Sequence, residues 1–227
     1  MAKAKENLKG APRCPDSRRG ALRCASAIGV KGLPCGQELE KLREQILVCK
    51  KCPLCKGRIQ AVPGSGAHDT EIMFVGEGPG KNEDEQGVPF VGRAGKFLDE
   101  MLASIGLTRA DVFVTNVVKC RPPENRDPLP EEVEACWGYL MAQIAAIRPL
   151  LIVTLGRHAM YRFLPETFKI SETHGQAKKL VNTKTGEAQT YFPIYHPAAA
   201  LYNPNLRATL VADFKKIPKV LEILKGK

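Results

Sequence analysis

Apolar residues first recur at helical spacing at Leu39, Leu42, Ile46 and Leu47, and the segment QELEKLREQILVC reads as a helix that delivers the chain into Cys49-Lys-Lys-Cys52-Pro-Leu-Cys55. Four short β-branched runs follow, each bounded by turn residues: EIMFVG at 71–76, VFVTNVV at 112–118, LLIVTLG at 150–156 and QTYFPIYH at 189–196. They read as buried strands. Between them, RAGKFLDEMLASIGL carries Phe97, Leu98, Met101, Leu102 and Ile105 on one helical face, and LPEEVEACWGYLMAQIAAIRP carries Val133, Trp137, Leu140, Met141 and Ile144. A last helix is expected over roughly 205–224, with Pro218 kinking or restarting it. Strands alternating with helices of this length predict an α/β fold in three layers, α/β/α, around a central four-stranded parallel sheet. Residues 1–36 hold Cys14, Cys24 and Cys35 among Gly, Arg, Lys and Pro with no sustained period. They read as an irregular, disordered basic tail, and the folded domain is expected over 37–227.

Composition narrows the class. An apolar share of 44% and a charged share of 26% exclude a collagenous, mostly disordered or membrane-embedded chain. No apolar run approaches the roughly 18 residues that span a bilayer. The basic N-terminus lacks the apolar stretch of a secretory signal, so the protein is expected inside the cell. Eight cysteines then sit in a reducing compartment, where metal explains them better than disulfides do. The 34 Lys and Arg against 24 Asp and Glu give a formal charge of +10, the sign suited to a polyphosphate partner. Charge of this kind bears on partners and not on fold.

In open parallel sheets ligands sit beyond the carboxyl ends of the strands. The polar and glycine-rich segments fall there: Gly76-Glu77-Gly78-Pro79-Gly80 after the first strand, Asn116 near the end of the second, Gly156-Arg157-His158 after the third, and His196-Pro197 closing the fourth. Four chain-distant motifs are thus expected at one edge. Cys49-x-x-Cys52 is joined at long range by Cys120, at the exit of the second strand, and Cys136, on the next helix. A C-x-x-C pair serves zinc, iron-sulfur or redox sites alike. Zinc ribbons usually add a second tight pair, and the 16-residue separation of Cys120 and Cys136 tilts the reading to a [4Fe-4S] cluster with zinc left open. Cys55 competes with Cys49, since 49, 52 and 55 are evenly spaced, and Cys120 and Cys136 taken singly read as small core residues.

Each remaining candidate has an ordinary reading beside a functional one. The GEGPG turn has neither dinucleotide nor P-loop spacing, and its Pro removes a phosphate-binding N–H. A tight turn explains its glycines, but Glu77 places a carboxylate at the ligand edge, where it can hold a water or stabilise positive charge. Phe90, in GVPFVGRAG, is either core or a stacking surface for a planar ligand. Asn116 interrupts an apolar strand, and its amide must pair with backbone or read the edge of a nucleobase. His196, alone, would be incidental; with the other motifs it carries more weight.

Taken together, CKKCPLCKGR, VGEGPGKNEDEQGVPFVGRAGKFL, VTNVVKCRPPENRDPLPEE, LIVTLGRHA and YHPAAAL resemble the uracil-DNA glycosylase superfamily, most closely its iron-sulfur branch, family 4, over residues 38–224. The resemblance implies a four-stranded parallel sheet between helices and hydrolytic removal of uracil from DNA, single- or double-stranded. It implies cluster ligands at Cys49, Cys52, Cys120 and Cys136, with Cys55 at a place that need not be cysteine. Glu77 and Gly78 fall in the water-activating motif, Phe90 under the base, Asn116 on its hydrogen-bonding edge, and His196 beside the carbonyl that gains charge. A related branch that cross-links to uracil's deoxyribose has an extra basic, His-containing loop after the first motif. Here VGRAGKF runs straight into a helix. Hydrolysis is therefore expected over a non-turnover uracil-DNA binding or cross-linking protein. A cytoplasmic, nucleoid-associated monomer without membrane contact is the corresponding expectation. Residues 1–36 match no part of this family.

Overall fold

The computed structural model describes residues 35–181 and 187–226. The elements, in order, are α1 (Cys35–Leu47), β1 (Ser65–Gly66), β2 (Ile72–Gly76), α2 (Lys81–Gln86), α3 (Arg93–Ala103), β3 (Phe113–Asn116), α4 (Pro130–Ile147) and β4 (Leu151–Leu155). Then come α5 (Arg157–Met160), α6 (Ile170–Thr173), β5 (Lys178–Val181), β6 (Ala188–Ile194), α7 (Pro197–Ala200), α8 (Pro204–Phe214) and α9 (Ile217–Leu224). Short 3-10 turns occupy Pro53–Lys56 and Pro123–Asn125.

One sheet runs in the order β1-β3-β2-β4-β6-β5. Its four inner strands are mutually parallel and are the four expected from the sequence. The sheet is nonetheless six-stranded, because β1 pairs antiparallel with β3 and β5 antiparallel with β6. Both additions are edge pieces without a buried apolar run: a Ser-Gly dipeptide, and KKLV, which alternates between half-buried and exposed. Hydrophobic periodicity cannot mark such strands.

Every residue of β2 and β4 is buried, as expected for strands covered on both faces. Met73, Val75 and Ile152 join one core with Leu39, Leu42 and Ile46 of α1 and Leu140 of α4. Ile72, Phe74 and Val153 join the other with Phe97 and Leu98 of α3 and Leu210 and Phe214 of α8. The three layers follow. At α4, Val133 and Leu140 of the expected face are buried and Trp137 and Ile144 pack against the core, but the buried face is rotated toward Cys136, Tyr139, Gln143 and Ile147, and Met141 is 42% exposed. The helix is apolar almost all round, so periodicity leaves its orientation undetermined, and a buried polar cluster around Gln143 sets it. Pro218 restarts the chain, near the start of α9. The first helix begins at Cys35, two residues before the expected boundary at 37; the tail otherwise lies outside the described residues.

Candidate active site and metal centre

Parallel register aligns the ends of the inner strands. Gly76, closing β2, is the pairing partner of Asn116, closing β3. A Cβ on Gly76 would stand 2.4 Å from Asn116 Oδ1 and 2.7 Å from Phe90 Cζ, so glycine is what lets the amide and the ring approach. Asn116 is 1% exposed, and its Oδ1 has no hydrogen-bond partner. A buried amide acceptor left open in this way costs about 1–3 kcal/mol, which makes it a ready place for a ligand donor.

Phe90 has φ 55°, in the left-handed region that non-glycine residues avoid. Its carbonyl accepts from Arg109 Nη2 at 2.8 Å, and Gly95 packs so closely that a Cβ would overlap that carbonyl. Glu83 ties the same loop to the GEGPG turn, accepting from Gly80 N at 3.1 Å and from Val91 N at 2.9 Å. Neither Glu83 nor Arg109 was a candidate on sequence grounds, since each acts on main-chain groups that no residue pattern marks. So held, the Phe90 ring stacks on His196, with centroids 5.6 Å apart and 28° between planes.

His196 follows β6 and caps α7: Ala198 N donates to its Nδ1 at 3.1 Å. Burial pushes the imidazole down to about 4, against the opposing pull of Glu83 and with the help of His158. The ring is therefore neutral at neutral pH. With Nδ1 accepting, the proton sits on Nε2, which makes that atom a fixed hydrogen-bond donor.

Glu77 lies in the turn after β2. Burial raises its carboxyl to about 7, with Asp127 adding to the rise and Arg157 and Arg162 opposing it. Its Oε1 is buried and has no hydrogen-bond partner. Asp127, from a loop, and His158, from the start of α5, bring a carboxylate oxygen and a ring nitrogen within 4.8 Å of it and of each other. Gly78 packs against Val118, a methyl of which would lie 2.9 Å from an added Cβ. The structure thus brings Glu77, Gly78, Phe90, Asn116 and His196 to one end of the sheet.

On the α1/α4 side, Cys49, Cys52, Cys55, Cys120 and Cys136 all line one cavity beside Lys119 and Tyr139. All five are free thiols. Burial pushes the Cys120 thiol up to about 11 although Arg58 Nη1, 2.9 Å from its sulfur, pulls it down; burial likewise raises Cys136. Thiols gathered here without a disulfide form a donor set suited to a sulfur-ligated metal group. Lys119, wholly buried, donates to Thr115 Oγ1 at 2.6 Å, to Asn116 O at 2.7 Å and to Gln143 Oε1 at 2.7 Å. It links the residue before Cys120 to the strand end that carries Asn116.

Comparison with known proteins decides the family. The family model for the uracil DNA glycosylase superfamily matches residues 63–223. The chain belongs to the uracil-DNA glycosylase superfamily. Relatives place it in the type-4 branch. A type-4 uracil-DNA glycosylase from Sulfurisphaera tokodaii is 54% identical over 183 residues, 79% of this chain and 83% of that protein. One from Archaeoglobus fulgidus is 50% identical, covering 80% and 92% respectively, and one from Thermotoga maritima 42%, covering 78% and 92%. No helix among the described residues is long and apolar enough to cross a membrane.

Proposed function

We propose that this chain is a uracil-DNA glycosylase that hydrolyses the N-glycosidic bond of deoxyuridine in DNA, releasing uracil and leaving an abasic site for base excision repair. One observation carries the reading from structure: the open, buried Oδ1 of Asn116 beside the Phe90 ring and the neutral His196 donor. Uracil presents an N3–H donor beside an O4 acceptor, which a carboxamide matches as acceptor and donor at once, while a phenyl ring offers its face to the base.

A base inside duplex DNA must first be extruded, at a cost of a few kcal/mol, and the basic balance of the chain favours the phosphates that accompany it. When the glycosidic bond breaks, its electron pair leaves on uracil N1 and is delocalised onto the carbonyl oxygens. His196 Nε2–H serves as donor to the carbonyl that gains charge; one such donor is commonly worth about 3 kcal/mol. The sugar becomes cationic. Ionised Glu77, with Gly78 giving room in the turn, orients the water that attacks the sugar and offsets the cation's charge. That water loses its proton to solvent or to the departing base.

Cys49, Cys52, Cys120 and Cys136 are the residues that would hold a [4Fe-4S] cluster, with Cys55 outside the ligand set. Sulfurs around one tetrahedral zinc sit about 3.8 Å apart, given a bond of about 2.3 Å. Among the described residues no three cysteine sulfurs fall within 4.8 Å of one another, which favours a larger group. Bound there, the cluster supplies a cross-link between the segment after α1, the exit of β3 and α4, and no redox chemistry is required of it. The reading extends to a catalytic domain over 37–227, a dispensable basic arm over 1–36, a monomer in the cytoplasm near the nucleoid, and substrates of either strandedness.

Purified protein incubated with uracil-containing oligonucleotides should release free uracil in excess over enzyme and leave alkali-labile abasic sites. Stoichiometric release, or a covalent adduct in place of turnover, would instead make the chain a binding or cross-linking protein.

A further inference from the structure

His158 stands close to the carboxylate proposed to orient the water, and the proposed mechanism leaves it idle. It stands at the start of α5, with Nδ1 3.8 Å from Glu77 Oε1 and Nε2 3.4 Å from Asp127 Oδ2. Arg157 Nε donates to Nε2 at 3.1 Å. In the neutral ring that bond puts the lone pair on Nε2 and the proton on Nδ1, while Asp127 Oδ2, 3.4 Å from the same nitrogen, pulls toward the other tautomer. In the imidazolium both nitrogens carry protons, Nε2–H then turning to Asp127. In both of these states Nδ1, 3.8 Å from Glu77 Oε1, carries a proton.

Glu77 Oε1 is itself buried and without a hydrogen-bond partner. An open acceptor and a ring nitrogen able to donate thus lie 3.8 Å apart, about 0.8 Å beyond an ordinary N–H···O bond. Catalytic hydrogen bonds are often long before substrate binds and tighten in the complex.

We propose that His158, oriented by Arg157, is a positioning residue whose Nδ1–H fixes one oxygen of the Glu77 carboxylate, leaving the other to hold water at the sugar. The inference rests on the glycosylase reading given above. A donor to the carboxylate favours its ionised form. The charged groups facing Glu77 are Asp127, from the loop after the Pro123–Asn125 turn, and Arg157 and Arg162, from α5 and the turn beyond it. Asp127 opposes ionisation and the two arginines support it. A His158 Nδ1–H would join the supporting side.

The test compares His158→Leu, which removes the donor, with His158→Asn, whose side-chain N–H₂ reaches the position of Nδ1. Single-turnover uracil release is followed from pH 5 to 9 on cluster-loaded protein, and the Glu77 carboxyl carbon is titrated by NMR in the same proteins. In His158→Leu the acid limb of the rate and the Glu77 midpoint should both move up, by about half a pH unit or more, with the rate at pH 7 falling about tenfold. His158→Asn should restore most of both. An unmoved Glu77 midpoint in His158→Leu, or equal loss in both variants with unshifted acid limbs, would overturn the assignment. The NMR titration needs no turnover, so a wild-type protein that released no uracil would count against the glycosylase reading while the contact was still decided.

Discussion

Asn116→Asp changes one atom group of the pocket with almost no change of shape. The wild-type residue is 1% exposed, and its Oδ1 and the Phe90 ring both crowd the place where a Cβ on Gly76 would stand, so the amide sits in a tightly packed surround. An ionised Asp keeps an acceptor for uracil N3–H but loses the donor to O4. Leaving O4 buried and unpaired costs about 1–3 kcal/mol, and setting a carboxylate against it adds a repulsion of similar size. The nearest buried cation, Lys119, is already shared among Thr115, the Asn116 main-chain oxygen and Gln143, and offers no relief. A total of about 3 kcal/mol or more predicts at least a 10²-fold fall in single-turnover uracil excision at pH 8. Burial also raises the carboxyl of the new Asp, and a protonated carboxyl regains an O–H donor beside its C=O. Measured as a ratio to wild type at each pH, the deficit should therefore shrink as pH falls. Weak cytosine excision is compatible with the same geometry, since cytosine offers an amino donor beside N3. Excision within about threefold of wild type at pH 8 would refute the assignment of Asn116 as the base reader.

The other expectations concern Glu77 and the cysteines. With its carboxyl raised to about 7 by burial, Glu77 should give wild-type excision an acid limb near that pH; Glu77→Gln should lower the plateau far more than DNA affinity and abolish that limb. Because the folded value lies above the unfolded one, stability is full below the ordinary glutamate range and is lost as pH rises through 7. Glu77→Gln should accordingly raise the melting temperature more at pH 8 than at pH 5, and an equal gain at both would argue against a strained, ionised Glu77. Anaerobically purified protein should be brown with about four iron and four sulfide per chain; Cys49→Ala should lose the iron and Cys55→Ala keep it, whereas one zinc in a colourless protein, or the reverse pattern in the two variants, would reassign the centre.

Much of this architecture is local information. The runs around Phe74, Val114, Val153 and Phe192 are apolar because both faces of those strands are covered, and a chain that alternates such runs with amphipathic helices has few ways to bury them other than a parallel sheet between helical layers. The glycines, Asn116 and His196 stand out for the same reason: each breaks an apolar pattern at a strand end, and strand ends of a parallel sheet share one edge. What lies between elements was not legible. The rotation of α4 was hidden because its apolar residues run round the helix, and the short antiparallel edge strands carry no period to read. Phe90 is held with φ 55° by Arg109, and Glu83 ties its loop to the turn after β2; these are main-chain contacts whose donors and acceptors look alike in any sequence. Glu77 and Asp127, from two loops, and His158, from the start of α5, meet only after the sheet has set their anchors, so their mutual distances, and the open oxygens of Glu77 and Asn116, are decided by tertiary packing alone. Residue type declares that a carboxylate or an amide is present; whether it is buried, partnered or left open depends on neighbours brought from elsewhere in the chain.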